Sequence, residues 1–323
     1  MDLNRDTSLL INSRKKMVNN YIERNLDIDD DVLEESVKHL PIAGGKRLRP
    51  IILILSAEAV SDVEHDNVTP VAAGFEALHT SSLIQDDHPS MDDHSMRRGV
   101  STVHEKYDSA VSVLSSDILR SKATTWCTRI DRPTSTITRI IEEFDRTVED
   151  MCIGQRKDLS FEKGEQSVTI EDYMDMIGKK TARMYGSCAK CGAITSQGSE
   201  REIETFERFG YQLGVGFQIV DDILDIRSAK TGKDSNSDIK NNKRTIVTMH
   251  ANNKGKPIFS DSYTVEDKIG MIEEAGSVEY AKELAEEQID DAIQEIEGID
   301  CGGSEQSLEA LVEIAEETKA RNR

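Results

Sequence analysis

Apolar residues recur at the three- and four-residue spacing of an amphipathic helix along most of this 323-residue chain. The pattern is clearest in IILILSAEAV, VAAGFEALHTSSLIQ, AVSVLSSDILRSKA, ITRIIEEFDRTVEDM and FGYQLGVGFQIVDDILDI. Six prolines and 5% aromatic residues leave little material for a β-sheet, whereas Glu, Lys and Ala are good helix formers. The sequence therefore predicts an all-α fold.

The rest of the chain divides into a few further segments. Residues 1–38 are predicted to form one polar amphipathic helix, and PIAGGKRLRP at 41–50 a loop whose Gly-Gly pair frees the backbone before a basic cluster. A polar loop is predicted at 228–245, and acidic amphipathic helices follow it. Because no repeat or composition break marks a boundary, we expect a single domain over residues 1–323.

The formal net charge of −21 makes the surface repulsive to polyanions, so we expect no binding of nucleic acid. An anionic substrate would have to be bound locally, by metal ions and by a few inward-facing cations. Such acidity also suggests a halophilic source, because a salt-rich cytoplasm screens the repulsion between surface carboxylates.

The sequence also bears on the compartment. The start, MDLNRDTSLLINSRKK, lacks the regions of a signal peptide, and no apolar run approaches the roughly 18 residues that span a bilayer. Five cysteines, an odd number, are too sparse for the disulfide framework of a small secreted domain, and Cys188 and Cys191 are interpreted as structural rather than as half a zinc site. We expect a cytoplasmic protein without stable membrane insertion.

An acidic motif, FQIVDDILD at 217–225, combines carboxylates with an apolar helix. Asp221 and Asp225 are one helical turn apart, roughly 5–6 Å between Cβ atoms, with Asp222 beside them. Oxygen ligands on a rigid helix suit Mg²⁺. A solvated acidic face is the alternative, but the apolar neighbours indicate a mostly buried helix, where clustered carboxylates are unfavourable without a metal.

A second acidic cluster lies in SLIQDDHPSMDDHSMRRG, where Asp86 and Asp87 end an apolar helix and Asp92 and Asp93 follow. On an unbroken helix Asp86 and Asp92 would be about 240° apart, so they can share an ion only if the turn is distorted near Pro89. Seven residues on, Asp93 would be the same-face partner in an undistorted helix. Geometry alone leaves both open.

In order along the chain, these motifs resemble those of the trans-isoprenyl diphosphate synthase family, also called polyprenyl synthetases, and are most similar to geranylgeranyl diphosphate synthases. The match runs from GGKRLRP at 44–50 to KRT at 243–245. The resemblance implies a bundle of long antiparallel helices around a central active-site cavity, a homodimer, and use of Mg²⁺, about two or three ions per site, with Mn²⁺ as an alternative.

The resemblance also implies roles for individual residues, and it selects Asp92 over Asp93. The implied metal ligands are Asp86, Asp92, Asp221 and Asp225. Isopentenyl diphosphate is expected to bind without metal at Lys46, Arg49, His79 and Arg98. The allylic diphosphate is expected to contact Arg97, Lys180, Thr181, Gln218, Lys233 and Lys243. The residues expected to be needed for catalysis are Asp86, Asp87, Asp92, Lys180, Asp221 and Asp222.

The implied reaction joins isopentenyl diphosphate head-to-tail to an allylic diphosphate of five, ten or fifteen carbons. The allylic C–O bond ionises, so the site must stabilise charge on the leaving diphosphate while excluding water from the cation. The double bond of isopentenyl diphosphate attacks the cation, and in the family the departing diphosphate removes the final proton. No protein nucleophile or dedicated side-chain base is expected.

The helix ending at Asp86 is expected to line the tunnel for the growing chain, and its 5.4 Å pitch is close to one isoprene unit. In the family, bulky aromatics at the fourth or fifth position before the first Asp stop growth at fifteen carbons. Here Ser82 and Ser81 occupy those positions, so we expect a product of at least C20, with Leu78 or Phe75 as later stops. Geranylgeranyl diphosphate is favoured, with C25 or longer as the alternative.

Other functions fit the sequence less well. A terpene cyclase would carry an Asn-Ser-Glu type second motif instead of FQIVDDILD and would not need GGKRLRP. A non-catalytic synthase subunit typically lacks one aspartate motif, and both are present here. An acidic helical scaffold predicts no Mg²⁺ dependence.

Overall fold

The computed structural model describes residues 3–162, 168–230, 239 and 242–321. These residues form α-helices, one π-helical turn and a short hairpin, which confirms the all-α prediction. The helices are α1 (Arg5–Asn25), α2 (Asp31–Ile42), α3 (Leu48–Val60), α4 (His65–Asp86), α5 (Val103–Lys106), α6 (Ser109–Cys127), α7 (Thr134–Glu162), α8 (Ile170–Ile177), α9 (Arg183–Thr195), α10 (Glu200–Lys230), α11 (Ile246–Asn253), α12 (Val265–Glu274), α13 (Ser277–Glu297) and α14 (Glu305–Ala320). The π-helical turn is Gly178–Ala182, and the hairpin pairs β1 (Met96–Arg97) with β2 (Val100–Ser101).

The most apolar stretches of the sequence form the centre of the molecule. Helix α3 is buried along its whole length and packs against α9, while α4 packs against α6, and α10 lies between α9 and α13. Their buried side chains meet in a core that burial of apolar surface stabilises. Among the described residues, no helix is long and apolar enough to span a bilayer.

The N-terminal region contains two helices rather than the single one predicted over residues 1–38. Helix α1 ends at Asn25, and Leu26 is fully buried in the core. Helix α2 then begins with its own N-cap, because the Asp30 side chain accepts a hydrogen bond from the Leu33 amide at 2.9 Å. The buried Leu26 and the capping Asp30 thus separate two helices, although amphipathic periodicity alone suggests one continuous helix.

The chain turns back on itself after α4. The Asp92 amide donates a hydrogen bond to the Asp86 carbonyl oxygen at 2.9 Å, so the segment containing Pro89 is a compact loop. Arg98 and Gly99 then form the two-residue turn of the hairpin, both with positive φ, as such turns require. The hairpin is absent from the sequence-based prediction, because two-residue strands carry no periodic signal.

The π-helical turn lies where α7 crosses the segment between α8 and α9. At Gly154 of α7, a Cβ would lie 2.4 Å from the Lys180 backbone nitrogen, so the two backbones approach too closely for any side chain. Single π turns of this kind frequently occur at functional sites.

Candidate active site

A cavity of about 870 Å³ lies among α3, α4, α7, α9 and α10, within the usual range for substrate sites. It is lined by the basic loop before α3, the end of α4, the π-helical turn and the middle of α10. Asp86 and Asp221 both line it. Two acidic motifs far apart in the sequence therefore face one space.

The loop after α4 separates the two candidate partners of Asp86. The Asp92 side chain is 12% exposed and lies 4.0 Å from the Lys243 Nζ. The Asp93 side chain is 70% exposed, with its Oδ1 3.9 Å from His104 Nε2. The structure thus places Asp92, rather than Asp93, near the cations of the site.

Burial raises the pKa of Asp86 to about 6, although the nearby Lys180 ammonium opposes the shift and Asp92 adds to it. Burial likewise raises the pKa of Asp221. Carboxylates whose charged form is disfavoured in this way are stabilised by an added cation. The electrostatics of the cavity therefore favour binding of a positive ion.

Asp87 does not line the cavity. Its buried carboxylate accepts hydrogen bonds from Arg97 Nε at 3.0 Å and from Arg97 Nη2 at 2.5 Å, and His94 Nδ1 lies 3.5 Å away. Such a bidentate pair fixes the guanidinium plane. Asp87 is therefore placed to orient Arg97, which does line the cavity.

Arg321, just after α14, reaches the acidic motif of α10. Its Nη2 lies 3.3 Å from Asp221 Oδ1, and its guanidinium is 5.3 Å from the Phe217 ring centre. This contact was not predicted from the sequence, because nothing in the local pattern links a C-terminal helix to a residue so distant in the chain. Asp225, one turn after Asp221, is half-buried and is not part of the described cavity lining.

Asp222 is buried and bonded within the protein. Its carboxylate accepts hydrogen bonds from the Tyr173 hydroxyl at 2.5 Å, from Gln218 Nε2 at 3.1 Å and from the Ile246 amide at 3.3 Å. Gln218 in turn accepts a bond from the Thr181 hydroxyl at 2.9 Å. Asp222 thus connects α8, α10 and α11 behind the cavity, and Tyr173 is a partner that sequence reasoning missed.

The carboxylates of the site can bind a divalent cation only together with other ligands. Within the described residues, no three His, Cys, Asp or Glu side chains converge closely enough to hold a metal by themselves. The cavity instead offers separate carboxylates with raised pKa values. This donor set fits Mg²⁺, which binds through few carboxylates and keeps positions for water and substrate phosphate oxygens.

The basic residues predicted for isopentenyl diphosphate gather on one side of the cavity; Lys46, Arg49, His79 and Arg98 all line it. Arg49 Nη1 lies 3.2 Å from His79 Nε2, and a guanidinium can only donate, so this ring nitrogen accepts. Burial and the neighbouring arginines lower the pKa of His79, which keeps the ring neutral. Arg49 also lies over the Tyr185 ring at 4.5 Å, a contact that the sequence did not indicate.

Four of the six residues predicted for the allylic diphosphate are on the cavity wall. Arg97, Lys180, Thr181 and Gln218 line the cavity. Lys180 is paired with Asp158 of α7, and Lys243 Nζ lies 3.6 Å from Glu162 Oε1. The spacing of these two α7 carboxylates, one helical turn apart, could have identified them in the sequence. Lys233 lies outside the described residues.

The residues predicted to set chain length separate into two groups. Leu78, Ser81 and Ser82 line the cavity, whereas Phe75 is fully buried against Phe144, with ring centres 5.4 Å apart, and does not. The Ser81 hydroxyl donates to the carbonyl oxygen of Ser116 at 3.0 Å, which ties α4 to α6. Apolar residues of α7, among them Val148, Met151 and Leu159, line the cavity as well and were not predicted.

Comparisons of the sequence and of the fold with known proteins find similar proteins over nearly the whole chain. Residues 30–285 match the model of the family described as polyprenyl synthetase. The chain is 32% identical to a geranylfarnesyl diphosphate synthase of Natronomonas pharaonis, over 94% of this chain and 95% of that protein. It is 35% identical to a geranylgeranyl pyrophosphate synthase of Geoglobus acetivorans, over 96% and 97%. A solved geranylgeranyl pyrophosphate synthetase from that archaeon superposes with a TM-score of 0.87, at 34% identity, over 96% of this chain and 99% of that one.

Proposed function

Because the chain belongs to the polyprenyl synthetase family of prenyltransferases, we propose that it condenses isopentenyl diphosphate with allylic diphosphates to form geranylgeranyl diphosphate. The observation that carries this proposal is one cavity lined both by carboxylates of the two acidic motifs and by a group of cations. Asp86 and Asp221 provide the carboxylates, and Lys46, Arg49 and Arg98 provide the cations. One diphosphate can therefore bind through a metal ion and the other through direct contacts with cations, within the same cavity.

The allylic diphosphate would bind at the acidic motifs through Mg²⁺ held by Asp86, Asp92, Asp221 and Asp225. When bound, the metal supplies positive charge that stabilises the leaving diphosphate. On the protein side, Lys180 and Arg97 contribute fixed charges, and the pairing of each cation with a carboxylate holds it in place before substrate arrives.

Isopentenyl diphosphate would bind at the basic side without metal. Arg49 and Arg98 offer guanidinium donors suited to phosphate oxygens, and neutral His79 orients Arg49. These local cations oppose the net negative field of the molecule. The final proton is assigned to the departing diphosphate, as expected from the sequence resemblance.

The product length follows from the tunnel wall. Ser81 and Ser82 leave the region one turn before Asp86 open, and Leu78 lies deeper on the same helix. Relatives that make products of different length, named as geranylgeranyl and geranylfarnesyl synthases, are similarly close in sequence. We therefore place the product at C20, and a C25 product is the alternative outcome of the test.

We also infer a homodimer. Val113 and Leu114 on α6 are 51% and 50% exposed, and Ile153 on α7 is partly exposed. Exposed apolar side chains on adjacent helices are typical of an interface between copies. The variant Leu114→Glu should shift the protein toward monomer in light scattering after gel filtration. The matched variant Leu9→Glu, at an equally exposed position of α1, should not, and equal masses for both would contradict this interface.

The deciding experiment incubates the purified protein in molar KCl with radiolabelled isopentenyl diphosphate and each of the C5, C10 and C15 primers, followed by chain-length analysis. We expect C20 product in Mg²⁺ and none in EDTA, with recovery when Mg²⁺ is restored. Asp221→Asn should lower kcat by roughly a hundredfold or more, because it removes a carboxylate from the acidic side. A protein that forms no product with any primer would overturn the proposal.

A further inference from the structure

Glu76 of α4 is a buried carboxylate between two guanidinium groups of the basic side. Its side chain is 2% exposed, and its Oε1 accepts hydrogen bonds from Arg47 Nη1 at 2.5 Å and from Arg98 Nη2 at 3.1 Å. All three residues line the cavity. Glu76 is neither one of the expected metal ligands nor the partner of Arg97, which is Asp87.

The two arginines are held in unfavourable backbone conformations. Arg47 has φ 57° and Arg98 has φ 53°, in the left-handed region that non-glycine residues seldom adopt. Such conformations persist only where the surrounding contacts over-determine them. Both side chains also donate to the end of α2, Arg98 to the Leu40 carbonyl oxygen at 3.1 Å and Arg47 to that of Pro41.

The basic loop packs directly on this pair. At Gly45, which has φ 143°, a Cβ would lie 3.3 Å from Arg98 Cζ and 3.4 Å from Arg47 Nη1, so the loop backbone lies against both guanidinium groups. The loop that carries Lys46 and the hairpin that carries Arg98 therefore meet at a single carboxylate.

We propose that Glu76 is a positioning residue for the isopentenyl diphosphate subsite. Its charge holds Arg47 and Arg98 side by side and thereby sets the orientation of Arg98 and of the loop bearing Lys46. This inference rests on the proposed function, which assigns Lys46 and Arg98 to that diphosphate. Glu76 acts through these arginines, because its Oε1 is bonded to both guanidinium groups.

Positioning and simple electrostatics make opposite predictions for Glu76→Gln. If the carboxylate only lowered the local positive potential, its removal would strengthen diphosphate binding and lower the KM for isopentenyl diphosphate. If it positions the cations, its removal leaves two adjacent guanidinium groups that repel each other and move apart. We expect a rise of roughly tenfold or more in that KM, as for loss of a buried charge-assisted hydrogen bond, with the allylic KM within about twofold of wild type.

Glu143 of α7 provides a matched control. It is 3% exposed and pairs with two cations, Arg183 Nη2 at 2.8 Å and Lys190 Nζ at 2.9 Å, but none of these three residues is part of the described cavity lining. Glu143→Gln should lower the melting temperature without a selective change in either KM. A separate variant, Glu76→Asp, keeps the charge on a shorter side chain, and it should restore part of the lost affinity and carries the test if the Gln variant does not fold.

Steady-state kinetics with each substrate varied in turn, together with melting temperatures, test the positioning role of Glu76. An unchanged or lower KM for isopentenyl diphosphate in Glu76→Gln, or an equal rise in both KM values, overturns the positioning role. Wild-type protein that makes no product overturns the proposed function instead, so the two failures are distinguishable.

Discussion

Asp86 occupies a position where function and stability oppose each other. Burial raises its pKa to about 6 from an ordinary value of 3.8, so the charged form that would bind a metal is the form that the folded protein disfavours. A pKa shift of this size lowers the free energy of unfolding by about 3 kcal/mol at neutral pH when no metal is bound. The carboxylate is thus kept at a site that would be more stable without its charge.

Because the charged form of Asp86 is unfavourable in the folded protein, we expect Asp86→Asn to be more stable than wild type. Because the folded-state pKa is raised, stability linked to the neutral carboxyl is fully present below about pH 3.8 and is lost as pH rises through 6. In EDTA at pH 7.5 the variant should therefore melt several degrees above wild type, and the gap should narrow toward pH 5. It should also be inactive.

The control for this measurement is Asp93→Asn, which changes a mostly exposed carboxylate of the same loop. Its melting temperature should match that of wild type at every pH. A wild type as stable as Asp86→Asn at pH 7.5, or a gap that widens in acid, would refute the argument from burial.

At the scale of the helix, α4 combines the chain-length wall with the basic subsite. Leu78, Ser81 and Ser82 line the cavity on the turns that precede Asp86, so side-chain size at each turn limits how far an apolar chain can extend. Three of the four residues that the sequence predicted for this wall line the cavity. It could not exclude Phe75, because helical spacing does not show whether a residue faces a cavity or the neighbouring core.

We predict that Ser81→Phe shortens the main product to C15, since the ring fills the cavity about one helical turn before Asp86. Leu78→Ala should lengthen it. Phe75→Leu is the matched control, because Phe75 packs in the core against Phe144, and it should lower stability without changing chain length. Thin-layer separation of the labelled products measures all three, and a wild-type distribution from Ser81→Phe would rule out this wall.

The close crossing of α7 with the π-helical turn determines the position of Lys180. Gly154→Ala would place a methyl group 2.4 Å from the Lys180 backbone nitrogen, so the turn must move and Lys180 with it. We expect a loss of about 1–3 kcal/mol in stability, as for other overpacked sites, together with a lower kcat.

Gly270→Ala in α12 is the paired variant, because a Cβ there meets no atom within 4 Å. It should stabilise the protein by about 0.5–1 kcal/mol through helix propensity alone. Chemical denaturation of both variants tests the contrast. Equal effects at the two glycines would show that the close approach is unimportant.

At the scale of the whole molecule, the net charge of −21 sets the conditions for folding and binding. Surface carboxylates repel one another over distances that shrink from about 10 Å at 0.1 M salt to about 3 Å at 1 M. The cations of the cavity lie beneath this surface and are paired with buried carboxylates, so screening affects them less.

We therefore expect the melting temperature to rise as the KCl concentration increases from about 0.1 M to about 1 M or more, because the screening length shortens over this range. Sucrose at matched osmolarity separates screening from a general solute effect, since it carries no charge. A melting temperature independent of KCl would argue against adaptation to a salt-rich cytoplasm.

Local patterns in the sequence determined the features that depend on helical periodicity. They predicted the all-α fold and the one-turn spacing of Asp221 and Asp225, because both follow from neighbours within a few residues. The motifs in their order also indicated the family, which the comparisons establish.

Tertiary structure alone decided which groups meet. It placed Asp92 rather than Asp93 beside the cations, gave Asp87 a partner in Arg97, and brought Glu76 between two arginines. These outcomes depend on a loop that folds back, a hairpin turn and contacts between distant helices. No local pattern encodes them, because each is set by packing between segments that the chain order keeps apart.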